Sequence, residues 1–563
     1  MASHAPVSLR IVVLGILFHH CGALLRLNPL VKTKLGWIEG LSDEDCNCSM
    51  FMGIPFAQVN SSNPFGASIP QKPFDNTFLA HDDSARCPQI EEFNNTYTGS
   101  LDCLHINIYV PGTTKPKGQL PVLVSIYGGD FKIGFSGRYI YGPRFLTRHG
   151  IILVTFNYRL GPYGFMCLNS PEVPGNQGLK DQLQALKWIK NNIEAFGGDS
   201  NKITLIGVST GAMCADALAI FSKEKLFHQI ILESGSSIMP IYSKPEINAP
   251  KKLASYLGVD ISSNDEALDY LSTVEPSKII MASSQLKLNF RLCVEKEFDG
   301  VERFADENWK NKKVPNINGI TALIGYTKDE LFFLYAESPR FFYNCSNLIM
   351  RTMSYDFDVE HPDFVGMIDT VKHFYIGDGN ETDRNNRYDV SAFESDFRFI
   401  HPIHRTINRY FANNASKIFH YMFSYDGKRN FLKQKMSINE PCVVHADEIG
   451  YLFDISYLKG SISNEDRFMI DRLTTLWANF VKYGNPTPNT SPLLPVRWLP
   501  ITEDSPFYCM DINLEMKLKT RNFNKRMAFW DLFYKANEKL QTIYLHLNSK
   551  CKNDICFCYC NIQ

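Results

Sequence analysis

The chain has 563 residues, of which 44% are hydrophobic and 21% are charged, a composition typical of globular proteins. Its 58 lysines and arginines nearly balance 59 aspartates and glutamates, and the basic residues are scattered, which argues against nucleic acid or an anionic membrane surface as a partner. No linker rich in proline, glycine or serine divides the sequence, so we expect residues 24–550 to form one large domain with insertions.

The N-terminus has the features of a secretory signal peptide. A lone Arg10 precedes the apolar run IVVLGILF at Ile11–Phe18, and the small-x-small sequence CGA follows at residues 21–23. The alternative is a membrane anchor, but this run is far shorter than the about 20 apolar residues that a bilayer span requires. We therefore expect residues 1–23 to be cleaved and the protein to be secreted to the extracellular space, without a membrane span.

The use of cysteine fits an oxidising compartment, because the chain contains 15 of these residues. Cys87 and Cys103 bracket a short polar loop and are the best candidates for a disulfide; the alternative is two buried thiols. The tail at residues 551–563 contains CKNDICFCYC, whose spacing lacks the paired ligands of a zinc site. This tail therefore favours local or intermolecular disulfides over a bound metal.

The sequence also contains Asn-x-Ser/Thr sequons, the acceptors of N-linked glycans in secreted proteins. Any single sequon can arise by chance, but several together in a secreted chain predict some glycosylation. Their asparagines are Asn47, Asn60, Asn94, Asn344, Asn380, Asn414 and Asn489.

Buried strands alternate with helices through the first half of the chain. LPVLVSIY and IILVTFNYRL are near-continuous aliphatic and β-branched runs, which are typical of strands covered on both faces. LKDQLQALKWIKNNIEAFGG has apolar residues at helical spacing and ends at Gly197-Gly198. The strand ITLIG, a helix and the strand HQIILES follow. This alternation predicts an α/β fold, with helices on both faces of a large, mostly parallel sheet.

The second half begins with a more polar, helix-prone segment at residues 244–312, which predicts a helical insertion. TALIGYT then restores a strand, and Asp329-Glu330 follow its end. SNEDRFMIDRLTTLWANFVKYG and NKRMAFWDLFYKANEKL have the spacing of long amphipathic helices and are expected to close the domain.

The segment ITLIGVSTGA places Ser209 between two glycines, in the pattern Gly-x-Ser-x-Gly. Alone the pattern is weak, because a chain of this size would contain it by chance about one time in seven. Here, however, a strand ends at the first glycine and a helix begins after the second, as in the sharp turn that holds a nucleophilic serine above a sheet. Ser209 is therefore a candidate nucleophile, and the alternative is an ordinary serine in a tight turn.

A serine nucleophile needs a histidine base and an acid, which follow it in this fold in the order serine, acid, histidine. Spacing alone does not choose the histidine, although the setting PCVVHADEIGYLF slightly favours His445. The histidines that follow Glu330 are His361, His373, His401, His404, His420, His445 and His546.

Several further segments match the motifs of one enzyme family: FMGIPFAQ, LDCLHINIYVP, NYRLGPYGF, PGNQGLKDQLQALKWIKNNIEAFGGD, ESGSS, IGYTKDELFFL and HADEIGYLF. Through them the chain resembles the type-B carboxylesterase and cholinesterase-like family from about Gly36 to the last helix. The histidine motif and RMAFWDLFY are most similar to arthropod-type carboxylesterases. The resemblance implies the α/β-hydrolase fold, hydrolysis of a small-molecule carboxylic ester without metal or organic cofactor, and a catalytic triad of Ser209, Glu330 and His445. It also implies a disulfide at Cys103.

The oxyanion-hole motif departs from the family pattern, in which three glycines precede a phenylalanine. Here the motif is YGGDF at residues 127–131, so Asp130 replaces the third glycine. By the resemblance, the oxyanion donors are the backbone N–H groups of Gly129, Asp130 and Thr210. At about 4 Å and an effective dielectric constant near 20, a carboxylate would repel the oxyanion by about 4 kcal/mol. We therefore expect altered kinetics unless Asp130 is protonated or turned away.

Other departures are smaller. Val208 and Thr210 stand where the family has glutamate and alanine around the serine, and LGVDISSNDEALDYL lacks the cysteines of a second family disulfide. The loop between Cys87 and Cys103 contains no tryptophan, so the indole face that would attract a quaternary ammonium is missing there. This absence argues against a choline substrate.

The leading hypothesis is a secreted serine carboxylesterase that acts on small or lipophilic esters. One alternative is a cholinesterase-like binding or adhesion protein that lost efficient hydrolysis, and another is a stoichiometric scavenger of organophosphates. The candidate triad favours the enzyme, whereas Asp130 favours the binding protein.

Overall fold

The computed structural model of the protein describes residues 28–112, 118–239, 246, 248–306, 309, 312–337, 347–458 and 460–542. The expected signal peptide, the Cys-rich tail, Asn344 and His546 lie outside the described residues. So do the two ends of the predicted domain, residues 24 and 550.

An eleven-stranded sheet forms the centre of the fold. Its strands in chain order are β1 Leu41–Asp43, β2 Cys48–Pro55, β3 His105–Pro111, β4 Leu120–Ile126, β5 Ile152–Phe156, β6 Gly198–Val208, β7 Gln229–Glu233, β8 Thr321–Thr327, β9 Lys417–Phe423, β10 Cys509–Ile512 and β11 Lys517–Lys519. Across the sheet their order is β11-β10-β9-β8-β7-β6-β4-β5-β3-β2-β1.

The seven strands from β10 to β5 are parallel, and antiparallel strands lie at both edges. Every residue of β5 is buried, as expected for a strand with helices on both faces. The α/β-hydrolase fold with a large, mostly parallel sheet is therefore confirmed.

Helices cover the sheet and form the insertion. The helices of eight residues or more are α1 Gln177–Asn192, α2 Thr210–Phe221, α3 Ala249–Tyr256, α4 Asn264–Ser272, α5 Pro276–Gln285, α6 Phe364–Tyr375, α7 Arg387–Ser395, α8 His401–Ala412, α9 Asn464–Tyr483 and α10 Asn524–Ala536. Shorter helices lie at Arg138–Tyr141, Arg144–Thr147, Gly161–Phe165, Leu348–Met353, Phe431–Lys435 and Ile449–Leu452, and a π-helical turn at Asp396–Ile400 joins α7 to α8.

Minor elements complete the described structure. Three small sheets are formed by Leu30–Thr33, Gly36–Glu39 and Phe78–Leu79; by Ala57–Gln58 and Ile69–Pro70; and by Gln89–Ile90 and Tyr97–Thr98. The 3₁₀ turns are Ile193–Phe196, Pro315–Ile317, Phe332–Leu334, Arg384–Asn386 and Glu538–Leu540.

The long helix α9 shows how local sequence sets its ends. The Ser463 hydroxyl accepts a hydrogen bond from the Asp466 N–H at 3.1 Å, and Glu465 and Asp466 place negative charge in the first turn. The helix ends at Gly484, whose φ of 61° is left-handed.

Helices α3 to α5 lie in the helical insertion that was predicted at residues 244–312. Among the described residues, no helix combines the length and apolar character needed to cross a membrane.

Three disulfides lie in the described part of the chain: Cys46–Cys48, Cys87–Cys103 and Cys167–Cys293. The pair Cys87–Cys103 has the partners expected from the sequence. The other two pairings were not predicted, and Cys167–Cys293 connects the insertion to the loop after the helix Gly161–Phe165.

Removing Cys167–Cys293 should destabilise the protein more than removing Cys87–Cys103. The sequence separations are 126 and 16 residues, so the chain-entropy contribution is about 5 kcal/mol for the longer loop and about 3 kcal/mol for the shorter. Double Cys→Ala variants of each pair would be compared in urea unfolding. Equal loss of unfolding free energy in the two variants would contradict this ranking.

The described sequon asparagines are accessible to modification. Asn47, Asn94, Asn380, Asn414 and Asn489 are exposed, and Asn60 is half-buried. Their positions are compatible with glycans, and glycosylation stays a prediction.

Candidate active site

The candidate nucleophile Ser209 lies in a sharp turn between β6 and α2. Its φ of 56° and ψ of −125° are strained for a residue with a side chain, and its N–H donates to the Glu233 carbonyl at 2.8 Å. A Cβ atom at Gly207 would lie 2.3 Å from the Gly211 carbonyl oxygen, and one at Gly211 would lie 2.2 Å from that of Ile126. Both glycines are therefore required by close backbone contacts, which explains the Gly-x-Ser-x-Gly pattern.

The sheet order places this turn at a crevice. β4 lies between β5 and β6, and its parallel register with β6 sets Ile126 beside Gly207. The carboxyl ends of β4 and β6 therefore open at the same edge, where the strand order reverses and α/β proteins bind ligands. β6 carries Ser209 there, and β4 carries the YGGDF loop. Ser209 is half-buried, so its hydroxyl is within reach of a substrate.

Glu330 and His445 are in direct contact at the same edge. Glu330 is fully buried, and its Oε2 lies 2.6 Å from the His445 Nδ1. Its Oε1 accepts hydrogen bonds from the Thr327 N–H at 2.8 Å and the Ser234 hydroxyl at 2.6 Å. Because a carboxylate faces Nδ1, we assign the imidazole proton to Nδ1, which leaves Nε2 as a base.

The His445 ring is held on several sides. The backbone N–H of His445 donates to the Glu330 carbonyl at 2.9 Å, and the imidazole packs edge-on against Phe399 with 4.9 Å between ring centroids. Its Nε2 is buried and has no hydrogen-bond partner among the described residues. In enzymes without bound substrate, hydrogen bonds between catalytic groups are often long and tighten only when the substrate binds.

The other candidate histidines in the described part of the chain have no hydrogen bond or ion pair with Glu330. His401, His404 and His420 are buried, and the rings of His404 and His420 lie 5.2 Å apart. His361 is half-buried and His373 is exposed. Of the candidate histidines within the described ranges, His445 is the one in contact with Glu330, and its role as the base stays a prediction.

Acidification should weaken the fold through the buried histidines. Burial lowers the pKa of His420 to about 4, although its hydrogen bond to the Ile324 carbonyl opposes this, and burial lowers the pKa of His404 well below the ordinary value of 6.5. At pH values between the pKa of a buried histidine in the folded protein and its ordinary value of 6.5, the unfolded chain binds more protons than the folded one. The free energy of unfolding therefore falls as the pH drops from about 6.5 towards 4. The slope is up to about 1.4 kcal/mol per pH unit for each histidine.

The variant His420→Asn isolates this effect, because an amide can still donate to the Ile324 carbonyl but does not titrate. Its unfolding free energy, measured in urea at several pH values between about 4 and 7.5, should fall less steeply on acidification than that of the unmodified chain. Parallel slopes for the two proteins would show that His420 is not responsible.

Two more carboxyl groups are buried near this network. Burial raises the pKa of Glu233 to about 8, although its hydrogen bond from Trp477 opposes the shift. Burial also raises the pKa of Glu448 well above its ordinary value, and the neighbouring Glu233 and Glu330 add to this effect. Glu233 is therefore mainly protonated at neutral pH, and burial likewise disfavours the ionised form of Glu448.

The YGGDF loop lies against the nucleophile. A Cβ atom at Gly128 would come within 2.9 Å of the Ser209 Cβ, and Gly129, Asp130 and Phe131 all have positive φ. Within the described part of the chain, no acceptor takes a hydrogen bond from the N–H of Gly129, Asp130 or Thr210. These three groups, expected as oxyanion donors, are therefore available to a ligand.

Both ends of the loop are braced. The Tyr127 and Tyr158 rings stack at 4.5 Å, and the Tyr158 hydroxyl donates to the Tyr127 carbonyl at 2.8 Å. At the other end, the Gln89 side chain donates to the Gly134 carbonyl and accepts from the Gly134 N–H, both at 2.8 Å. Gln89 belongs to the loop that Cys87–Cys103 closes, so this disulfide supports the YGGDF loop.

The Asp130 carboxylate is paired with two cations. Its Oδ2 lies 3.1 Å from the Lys132 ammonium, and its Oδ1 lies 3.7 Å from the Arg291 guanidinium. Burial on its own raises the pKa of Asp130, but Arg291 and Lys132 outweigh this and hold the pKa below its usual range. Asp130 is therefore ionised and charge-balanced, an arrangement that the sequence pattern does not predict.

Three contributing residues were missed at the sequence level. Ser234 lies in the quoted segment ESGSS, so that segment held a signal for the donor to Glu330. Lys132 follows the YGGDF motif by one residue and could have been weighed as a neighbouring cation. Arg291 lies in the insertion, and no sequence pattern connects it to Asp130.

A cavity of about 450 Å³ lies at the ends of β9 and β10, away from these residues. Lys328, Asp511, Lys519 and Arg521 contribute its charged lining, and Lys519 pairs with Asp511 at 2.6 Å. No triad or oxyanion-loop residue lines it, so it is separate from the candidate site.

Comparisons with known proteins agree on one family. The model of the "Carboxylesterase family" matches residues 27–530. Juvenile hormone esterase of Tribolium castaneum is 29% identical over 500 residues, covering 82% of this chain and 84% of that protein. Acetylcholinesterase of Bungarus fasciatus is 31% identical over 489 residues, covering 81% and 78% of the two chains.

A solved structure shows the same fold. It is juvenile hormone esterase from Manduca sexta, with OTFP covalently attached. The two folds superpose with a TM-score of 0.78 at 25% sequence identity, over 90% of this chain and 100% of that one.

Proposed function

This chain belongs to the carboxylesterase family and is a carboxylic ester hydrolase, and on that premise we propose that it acts through an acyl-enzyme formed on Ser209. In this mechanism the His445 Nε2 removes the hydroxyl proton of Ser209 as its Oγ attacks the ester carbonyl. The same imidazole returns the proton to the leaving alcohol. Water then attacks the acyl-enzyme by the same route and releases the acid and free Ser209.

Glu330 and the backbone supply the electrostatic part of the mechanism. The Glu330 carboxylate orients the imidazole through Nδ1 and stabilises its charged form during each proton transfer. The N–H groups of Gly129, Asp130 and Thr210 stabilise the oxyanion. No protein group other than these is needed for the two half-reactions.

One observation carries the proposal: the buried carboxylate of Glu330 lies 2.6 Å from the Nδ1 of His445, at the sheet edge where Ser209 occupies its strained turn. Three residues far apart in sequence and of the required chemical types are thereby brought to one edge of the sheet. An ordinary serine between two glycines would not require this arrangement.

The finer parts of the proposal concern location and substrate. We propose that the enzyme is secreted, on the basis of the N-terminal apolar segment. We also propose that it acts on small or lipophilic esters, and no tryptophan lies between Cys87 and Cys103 to bind a quaternary ammonium group. A choline ester is disfavoured for this reason.

A second candidate function is a weakly catalytic binding protein or an organophosphate scavenger. Asp130 favours it, because a carboxylate in the oxyanion loop opposes the developing negative charge. The ion pairs with Lys132 and Arg291 weaken this argument, since they balance that carboxylate.

Purified protein would be incubated with a fluorophosphonate probe and, separately, with a short-chain nitrophenyl ester. Stoichiometric labelling together with sustained turnover supports the esterase. Labelling with a single burst of product and no turnover supports the scavenger, and neither labelling nor turnover supports the binding protein.

A further inference from the structure

The strongest unexplained feature of the site is the buried cation that faces its oxyanion loop. The Arg291 side chain is only 2% exposed, whereas Lys132 is 37% exposed and Asp130 is 38% exposed. A buried ion-pair partner is screened far less by water and salt than an exposed one. Of the two cations within 4 Å of the Asp130 carboxylate, Arg291 is therefore the one that solvent and salt screen less.

The position of Arg291 is fixed from outside the oxyanion loop. Two residues after it, Cys293 forms a disulfide with Cys167. The Asn176 side-chain amide donates to the Cys293 carbonyl at 2.8 Å and accepts from the Cys293 N–H at 3.0 Å. Two residues further, the buried Glu295 pairs with Lys180 at 2.7 Å. Asn176 and Lys180 lie at the start of α1. The disulfide, the hydrogen bonds and the ion pair therefore hold the segment that contains Arg291 against this helix.

The guanidinium is also oriented locally. Its Nη1 donates to the Phe290 carbonyl at 3.1 Å, and its Nη2 donates to the Asn289 side chain at 3.2 Å. The Lys132 ammonium reaches the same Asn289 oxygen at 3.3 Å. The two cations that hold Asp130 are therefore joined through one amide, which sets the carboxylate between them.

We propose that Arg291, anchored by the Cys167–Cys293 disulfide, is a positioning residue that lets this oxyanion loop carry an acid and still bind an oxyanion. It holds the Asp130 carboxylate in an ion pair and balances its charge, while the Asp130 N–H remains available to the oxyanion. The inference rests on the proposed hydrolysis at Ser209. It predicts that Arg291 matters because Asp130 is present.

A double-mutant cycle tests this dependence with the full chain and a short-chain nitrophenyl ester. Arg291→Met should lower kcat by about 10- to 100-fold and leave KM within about threefold, because the oxyanion forms only in the transition state. Asp130→Gly keeps the backbone N–H and removes the carboxylate that Arg291 balances, so its kcat is the reference with which the double variant is compared. The double variant should recover most of the activity that Arg291→Met loses.

Three further variants separate charge from structure. Arg291→Lys should retain more kcat than Arg291→Met, because it keeps a cation. Lys132→Met should have a smaller effect than Arg291→Met, because Lys132 is exposed to solvent. The variant Cys167→Ala/Cys293→Ala should lower kcat, and Asp130→Gly should reduce that loss. Thermal unfolding of each variant would show whether a loss of kcat comes only from misfolding.

The outcomes are distinguishable. If Arg291→Met keeps full kcat, or if its loss is the same with and without Asp130, the inference is overturned although the esterase stands. If wild type neither hydrolyses the ester nor reacts with a fluorophosphonate, the proposed function fails first and the inference fails with it. Recovery by Asp130→Gly supports both.

Discussion

Replacing Ser209 with alanine should abolish ester hydrolysis and fluorophosphonate labelling while leaving the fold intact. Loss of a triad serine costs about 10⁶ in kcat in other serine hydrolases, which would bring this enzyme close to background. The fold should tolerate the change, because alanine keeps the Cβ atom and the backbone contacts of the turn, and the half-buried hydroxyl contributes little packing. Turnover, labelling and thermal unfolding would be measured on the same preparations.

Ser222→Ala is a matched control, since Ser222 lies at the other end of α2 and its hydroxyl bonds locally, donating to the Glu224 carbonyl and accepting from the Glu224 N–H. It should keep full activity and full labelling. Complete labelling of the Ser209→Ala variant would show that the nucleophile lies elsewhere.

Replacing His445 with alanine should have an effect of similar size. Without Nε2 no group accepts the Ser209 proton, and the Glu330 carboxylate loses the imidazole that it orients. In a comparable triad, loss of the histidine costs about as much as loss of the serine, roughly 10⁶ in kcat. Steady-state hydrolysis and the second-order rate of probe labelling would both be measured.

His361→Ala is the control for this variant, because His361 is half-buried at the surface and was one of the alternatives left open by spacing. It should hydrolyse the ester at the wild-type rate. If His401→Ala or His404→Ala lost catalysis while still folded, and His445→Ala did not, the assignment of the base would be wrong.

The parallel sheet could be predicted because its strands carry their own signal. A strand buried on both faces must be apolar throughout, so β4, β5, β7 and β8 read directly as aliphatic runs. Helices α1, α9 and α10 were predicted for a related reason, since burial of one face imposes helical spacing. The regular elements were predictable because each position reflects its own burial.

The site needed more than local pattern. The turn at Ser209 has a local signature, because its neighbours must be glycine. His445, in contrast, meets Glu330 across 115 residues, and nothing in the spacing of the histidines encodes that contact. Only the resemblance to a family selected His445, and the structure supplied the geometry.

Neither the local sequence pattern nor the family resemblance could predict the charge balance at Asp130. The family pattern marks Asp130 as a departure, and Coulomb's law alone predicts repulsion of the oxyanion. Arg291, which lies in the insertion, balances the negative charge of Asp130. Its segment is held by the disulfide Cys167–Cys293, which was not predicted. Ion pairs between loops depend on three-dimensional placement, so the sequence could indicate the problem but not its solution.

Locating the probe adduct on the protein that hydrolyses the ester tests the proposed acyl-enzyme mechanism at its first step. Wild type would be labelled with a fluorophosphonate until turnover stops, digested, and analysed by tandem mass spectrometry. We expect one adduct per chain, on Ser209, and its accumulation should match the loss of activity. An adduct on another residue that tracks the loss of activity, or full loss of activity with Ser209 unmodified, would contradict this mechanism.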